Sequence, residues 1–201
     1  MGRPTSFDRD EAIETVMQEM WRSGYEANTV KALSERLGIT RSSYYNAFGS
    51  REALFKLALE RYFAQSPDRF LYGDVSDIPV LALISQTFRD VACARAADPE
   101  KRGCLAINSV AELVGIHDEL GPVLVDAVMA SAARFEELLN VAVENGELPA
   151  GTNTHAKALA LQNLLAGLNV FAKALGDEDE LWLMAKTTLE GLGLYREPGD
   201  A

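Results

Sequence analysis

The sequence predicts an all-α protein: a three-helix domain of helix-turn-helix type over residues 1–50, continued by a connecting helix from about 51 into a larger helical domain over 51–201. Two observations carry this. Apolar residues recur at three- and four-residue spacing through most of the chain, the period of a helix with one buried face. Turn residues cut the first fifty positions into short pieces at Gly24, Gly38 and Gly49, whereas the later apolar segments run long.

The first helix has a possible capping box in Asp8 and Glu11, and Ile13, Val16, Met17, Met20 and Trp21 share one face. "SGYE" ends it, with Gly24 able to take the positive φ of a C-cap. Thr29 can cap a second helix, although Ala32 stands where a full box needs Glu or Gln; Val30, Leu33 and Leu37 form its inward stripe, and "LGI" turns the chain. The third helix runs from near Thr40 to Phe48 and Gly49. About two turns long, it is weak alone and must be held by packing on a longer helix. Three unequal helices joined by short turns suggest a helix-turn-helix unit whose last helix is presented to a groove.

Beyond Arg61 the pattern lengthens. "IPVLALISQTFRDVACARAA", "CLAINSVAEL" and "PVLVDAVMASAARFEELLNVAVENGEL" each read as a helix, with turns at Pro67, Gly73, Pro79 and "DPEKRG". "HAKALALQNLLAGLNVFAKAL" ends at Gly176, and "DEDELWLMAKTTLEGLGLY" follows behind a possible Asp177–Glu180 capping box.

Composition narrows the function. A chain of 201 residues that is 48% hydrophobic can bury a core, and its longest apolar runs, such as "LLAGLNVFA" from Leu164, fall short of a membrane span. "MGRPTSFDRDE" lacks the apolar core of a signal peptide, so a cytoplasmic protein with no membrane partner is expected. Cys93 and Cys104 give no disulfide framework and read first as reduced thiols. The net charge of −11 belongs to the second part: residues 1–61 hold nine basic and nine acidic residues, and residues 62–201 hold ten and twenty-one. A neutral first segment with its basic groups on one surface can approach a polyanion.

No P-loop, dinucleotide fingerprint, paired zinc motif or nucleophile elbow is present, and "GLGLY" lies in a helical pattern. No catalytic residue and no cofactor is therefore expected. His117 and His155 stand far apart from each other and from the cysteines, so no metal site is expected either.

The third helix carries the candidate chemistry. Thr40, Arg41 and Ser42 lie at its N-terminal end, where side chains meet base edges and helix amides favour phosphate. Arg41 is the strongest candidate for guanine. Ser43 and Asn46 offer hydrogen bonds to DNA or to local caps, and Thr29 offers a hydroxyl to phosphate or to its own helix. Tyr45 combines a hydroxyl suited to phosphate with a ring suited to anchoring the helix. Arg51 opens the next helix, an unfavourable place for a cation unless phosphate is near.

The block "TVKALSERLGITRSSYYNAFGSREALF", with the preceding "GRPTSFDRDEAIETVMQEMWRSGYEAN", resembles the N-terminal DNA-binding domain of the TetR family of bacterial transcriptional regulators, over about residues 3–60. The resemblance implies that Tyr45 touches phosphate and Phe48 is a core aromatic. Arg51 replaces the usual lysine, which keeps the charge but changes its geometry, and Tyr44 stands where an aliphatic residue is commoner. It further implies a larger helical ligand-binding and dimerisation domain, a homodimer on a palindromic double-stranded DNA operator, repression as the usual action, and release by a small-molecule effector.

Two apolar stripes, Leu161, Leu164, Leu165, Leu168, Phe171 and Leu175, then Leu181, Met184, Thr188, Leu192 and Tyr195, suit either a monomer core or a partner. In the resembled family this helix pair forms the dimer interface, and Gly167 permits close approach. Phe88, Leu105, Ile107, Val110, Leu113, Val125, Met129 and Phe135 supply apolar material for a cavity, with Asn108, Glu112 and His117 as polar candidates. "RGCLAIN" resembles a "GCL" segment of one group of such regulators, some responding to electrophiles or oxidants; Cys104 reads as a sensor or as a core thiol. The readings of another class are an all-helical enzyme acting on a small molecule and an all-helical protein-interaction module.

Overall fold

The computed structural model describes residues 8–75 and 78–197; "GRPTSF" of the N-terminal block lies outside them. Among the described residues there are nine α-helices: α1 (Arg9–Ser23), α2 (Val30–Leu37), α3 (Arg41–Phe48), α4 (Arg51–Gln65), α5 (Val80–Ala96), α6 (Leu105–Leu113), α7 (Leu120–Glu144), α8 (Thr154–Ala174) and α9 (Glu178–Gly191). No described strand interrupts them. A 3-10 helix, Pro67–Tyr72, lies between α4 and α5 where the sequence reads only as a turn. Its buried Leu71 holds it to the core, and the Arg134 guanidinium donates to the carbonyls of Leu71 and Gly73.

The helix starts follow the cap chemistry. Asp8 accepts from the amides of Asp10 and Glu11, Thr29 from Ala32, Thr40 from Ser43, and Asp177 from Glu180. Each satisfies a donor that the first turn would leave open. Gly38 closes α2 at φ 65°, the left-handed conformation that lets α3 start after a three-residue turn.

The two-turn α3 is held from one side. Tyr44 and Phe48 are buried in the cluster that also holds the apolar faces of α1 and α4, with their rings 5.5 Å apart. Burying two such rings contributes roughly 1.5–3 kcal/mol each, which fixes a helix too short to persist alone. Tyr44 thus lies inside the fold rather than on the DNA side; its hydroxyl has no hydrogen-bond partner, and burial pushes its pKa up to about 12.

Two clusters of buried side chains organise the chain. The first gathers α1 to α4 and then continues into Leu105, Ala106 and Leu113 of α6 and Leu120 and Leu124 of α7. The second joins Leu71 of the 3-10 helix to α5, the C-terminal half of α7, α8 and α9. α4 packs against both α1 and α6, so the first cluster runs across residue 50. No helix of the described residues is long and apolar enough to cross a membrane.

Candidate nucleic-acid interface and regulatory cavity

α3 presents a continuous polar face. Arg41, Ser42, Ser43 and Asn46 are exposed, Tyr45 is 52% exposed, and α3 carries no acidic side chain. Thr40 uses its hydroxyl oxygen to cap α3 and lies 3.0 Å from the Ser43 hydroxyl, so Ser43 is engaged locally as well as exposed. Thr29, also exposed, caps α2 through its oxygen and keeps its own O–H to donate. Arg9 braces the far end, donating to the Ala47 carbonyl with its guanidinium 5.9 Å from the centre of the Phe48 ring.

The cations of the head differ in how far they are already paired. Arg36 meets Glu19 at 2.7 Å, Lys56 meets Glu119 at 2.8 Å and Arg61 meets Asp10 at 3.4 Å. Among the described residues Arg41 makes no ion pair and stands in water at the helix start. Arg51, read from the sequence as a phosphate contact, has partners within the head. Its guanidinium lies 3.9 Å from the centre of the Tyr25 ring and 3.3 Å from Glu26, and its side chain is only 19% exposed. Stacking on an aromatic face suits a weakly hydrated guanidinium, so this charge is largely engaged within the head.

The head is joined to the rest of the chain mostly through α6 and its flanking loops. Both oxygens of Glu112 accept main-chain bonds, from Tyr25 and Glu26, at 2.9 Å each. Gly24 makes room for them: a Cβ there would sit 2.8 Å from a Glu112 oxygen, and φ is 82°. Trp21 donates its indole N–H to the Gly103 carbonyl, Arg102 bonds Gln18 at 2.7 Å with its guanidinium over the Trp21 ring, and Arg22 reaches Glu100. Asp98 anchors Arg102; burial opposes its ionisation, yet the bonds from Arg102 hold its carboxyl below the usual range.

A cavity of about 420 Å³ opens between α4, the 3-10 helix, α5, α6, α7 and α8. Phe63, Val91, Ala106, Ile107, Val128 and Leu165 give it an apolar wall, and Cys104 and Arg95 reach it from the start of α6 and from α5. Of the cavity residues read from sequence, Ile107 and Cys104 line it. Phe88 is fully buried and stacks on Phe135 with ring centres 6.1 Å apart, in the second core. Asn108 ties the Arg102 carbonyl to Lys173 and lies in a shallower, polar depression with Glu112. Glu112 belongs to the head clamp. His117 accepts at Nδ1 from the amides of Glu119 and Leu120, capping the start of α7, with its ring against Tyr25. Met129 points outward, 56% exposed.

The cavity's polar residues escaped the sequence reading, although a signal existed. Phe88, Val91, Ala92 and Arg95 follow one helical stripe, so Arg95 is a charge on a buried face. Gln162 and Asn169 likewise fall among the buried leucines of α8.

α8 and α9 divide their apolar residues between inside and outside. Leu161, Leu168 and Leu181 are completely buried in this one chain and Leu164 nearly so, all within the second core. Met184, Thr188 and Leu192 are half-buried, with the Thr188 hydroxyl bonded to the Met184 carbonyl. Phe171 of the same stripe faces out. With it are Leu159, Val170, Leu175 and Leu183, between 42% and 56% exposed. Leu159, Asn163, Ala166 and Val170 fall on one face by helical spacing, and a Cβ on Gly167 beside them would meet nothing within 4 Å.

Comparison with known proteins places this architecture. A model described as bacterial regulatory proteins, tetR family, matches residues 12–58, and one described as tetracyclin repressor-like, C-terminal domain, matches residues 84–187. The HTH-type transcriptional repressor ComR of Escherichia coli is 26% identical over 191 residues, covering 94% of this chain and 90% of that protein. The uncharacterized HTH-type transcriptional regulator YezE of Bacillus subtilis is 28% identical over 184 residues, covering 90% of this chain and 94% of that protein. A cysteine-substituted TetR family transcriptional regulator CifR, complexed with 26bp double-strand operator DNA, superposes with a TM-score of 0.82 at 28% identity, over 94% of this chain and 98% of that one.

Proposed function

The chain belongs to the TetR family of bacterial regulatory proteins, and on that premise we propose that it is a cytoplasmic, dimeric repressor whose hold on a palindromic operator is released by a small molecule in the α4–α8 cavity. It is a DNA-binding transcriptional regulator rather than an enzyme. The relatives named as repressors and the neighbour solved on operator DNA support repression and a double-stranded partner.

One observation carries the mechanism. α6 begins at the cavity, through Ala106 and Ile107, and ends at the head, through Glu112 on the Tyr25–Glu26 amides. A ligand that displaces the start of α6 moves the turn after α1, and with it α3. In a two-fold dimer the two copies of α3 reach half-sites one helical turn apart, about 34–36 Å centre to centre, so a change in head spacing abolishes simultaneous engagement. Arg41, Ser42 and Asn46 are the proposed base-facing residues; Thr29, Thr40, Ser43 and Tyr45 position phosphates. The exposed apolar residues of α8 and α9 are the proposed dimer face.

The reading is tested by fluorescence anisotropy on DNA tiles flanking the gene, with unrelated DNA as competitor. A competitor-resistant tile whose affinity falls as salt rises is expected. Failure of every tile and of a randomised-DNA selection would remove the DNA-binding claim. The joint gives a second expectation. Glu112→Ala leaves two main-chain N–H groups without their acceptor, at a cost of about 1–3 kcal/mol, and lowers the thermal midpoint. It also blunts effector-driven release while the operator is still bound; an unchanged midpoint with intact release would show that the clamp transmits nothing.

A further inference from the structure

We propose that the effector is an amphipathic organic anion, with a carboxylate that pairs with Arg95, an apolar body, and a hydroxyl or amide N–H that donates to Gln162. The inference rests on the reading of this cavity as the effector site and assigns its chemistry.

Arg95 lines the cavity and is only 5% exposed. Its Nε donates to the Asn169 side-chain oxygen at 2.6 Å, and one terminal nitrogen donates to the Tyr62 hydroxyl at 2.8 Å. Both partners are neutral. Burial, and then the adjacent Cys104 sulfur, push the Tyr62 phenol well above its ordinary pKa, so it remains an uncharged acceptor. Among the described residues no carboxylate forms an ion pair with Arg95, and its guanidinium lies 5.7 Å from the centre of the Trp21 ring.

A guanidinium has five N–H donors, and these two bonds leave donors over. A cation so far from water is costly to keep without a counter-charge, and the planar fork of arginine matches a carboxylate with two parallel bonds. The wall holds two arginines, Arg69 and Arg95, against one carboxylate, Asp68, so its charged side chains sum to +1. A cationic ligand is repelled, and a purely apolar one leaves Arg95 as it was.

Gln162 supplies the second requirement. It is 9% exposed, lines the same cavity, and its side-chain oxygen is buried with no hydrogen-bond partner. A carboxylate cannot satisfy an acceptor, so the ligand needs a donor elsewhere on its frame. Phe63, Val91, Ile107, Val128 and Leu165 give the ligand's body an apolar side, next to the polar Ser66, Tyr72 and Ser131. A volume of about 420 Å³ is within the range of small-molecule sites.

The test uses the full chain and four probe series, each from hexyl to dodecyl length: 3-hydroxy acids, unsubstituted acids, methyl esters of the 3-hydroxy acids, and primary alkylammonium ions. Calorimetry without DNA reads the chemistry. The hydroxy acid is expected to bind best, with the ester weaker by roughly tenfold or more and the ammonium weakest. Arg95→Gln removes the preference of acid over ester; Gln162→Leu keeps that preference and removes the gain from the hydroxyl. An ester that binds as well as its acid, a preference that survives Arg95→Gln, or no binding by any anion overturns the proposal. If Arg95→Gln does not fold, the acid–ester comparison on the unaltered chain and on Gln162→Leu decides.

Operator anisotropy is measured separately. Acid binding without operator release leaves the ligand chemistry standing and breaks the release mechanism. Absence of any operator binding breaks the regulator reading, while calorimetry still decides the chemistry.

Discussion

Arg41→Ala is expected to weaken binding to the specific operator by about 2–6 kcal/mol, from some thirtyfold to more than ten-thousandfold. Each good bidentate contact to a base is worth roughly 1–3 kcal/mol, and a two-fold dimer loses two of them at once. Arg41 is suited to this because it is exposed at the start of α3 and makes no ion pair among the described residues, so no internal bond must break before it reaches DNA. Binding to a scrambled duplex should fall much less. Anisotropy on both duplexes at two salt concentrations separates the roles: a uniform loss, with a shallower salt dependence, would move Arg41 from the bases to the phosphates. An operator affinity that does not change would exclude it from both.

Leu183→Asp is expected to yield monomers and to lower operator affinity by about a hundredfold or more, because joining two heads raises the effective concentration of the second for its half-site. The fold should survive. Leu183 is 56% exposed in the single chain, so the substitution removes little from its core, and surface changes of this kind shift stability by only about 0.5 kcal/mol. In a dimer the same carboxylate would be desolvated against an apolar partner. Its near neighbour is the control: Leu181 is fully buried, and Leu181→Asp should unfold the chain. Light scattering after gel filtration, read beside circular dichroism, separates a lost partner from a lost fold. A Leu183→Asp chain that remains dimeric would mean that the face lies elsewhere.

The contrast between these two leucines marks how far the sequence could be read. All nine helices of the described residues were legible, because the period of apolar residues and the cap residues Asp8, Thr29, Thr40 and Asp177 act locally. The exposed residues of α3 were legible too, since a two-turn helix with Tyr44 and Phe48 inside leaves its other positions to solvent. On α8 the apolar residues cover so much of the circumference that helical period no longer gives a direction. The sequence therefore left Leu161, Leu164 and Leu168 open between core and partner, and they pack in the second core, while Leu159 and Val170, which do face out, were passed over.

The cavity was hidden for a related reason. An apolar side chain that packs and one that lines a void have the same spacing, so Phe88 could not be told from Val91. Polar residues were misjudged by proximity along the chain. Glu112 and His117 are near the cavity in sequence, yet each is used up on main-chain amides of the head and of α7. The 3-10 helix was missed because the proline that opens it is also the residue expected in a turn.

The joint at Glu112 holds the main chain of Tyr25 and Glu26 and no side chain of theirs. Such a grip is indifferent to spelling. What it demands of the head is a glycine at position 24 and a chain that turns there, both geometric conditions that many sequences can meet. The surface that reads an operator and the wall that reads an effector can accordingly diverge on separate schedules, and a transplanted head that turns at the same place would be grasped by the same carboxylate. Among the contacts across this joint, those of Trp21, Gln18 and Arg22 depend on head side chains, and the clamp does not.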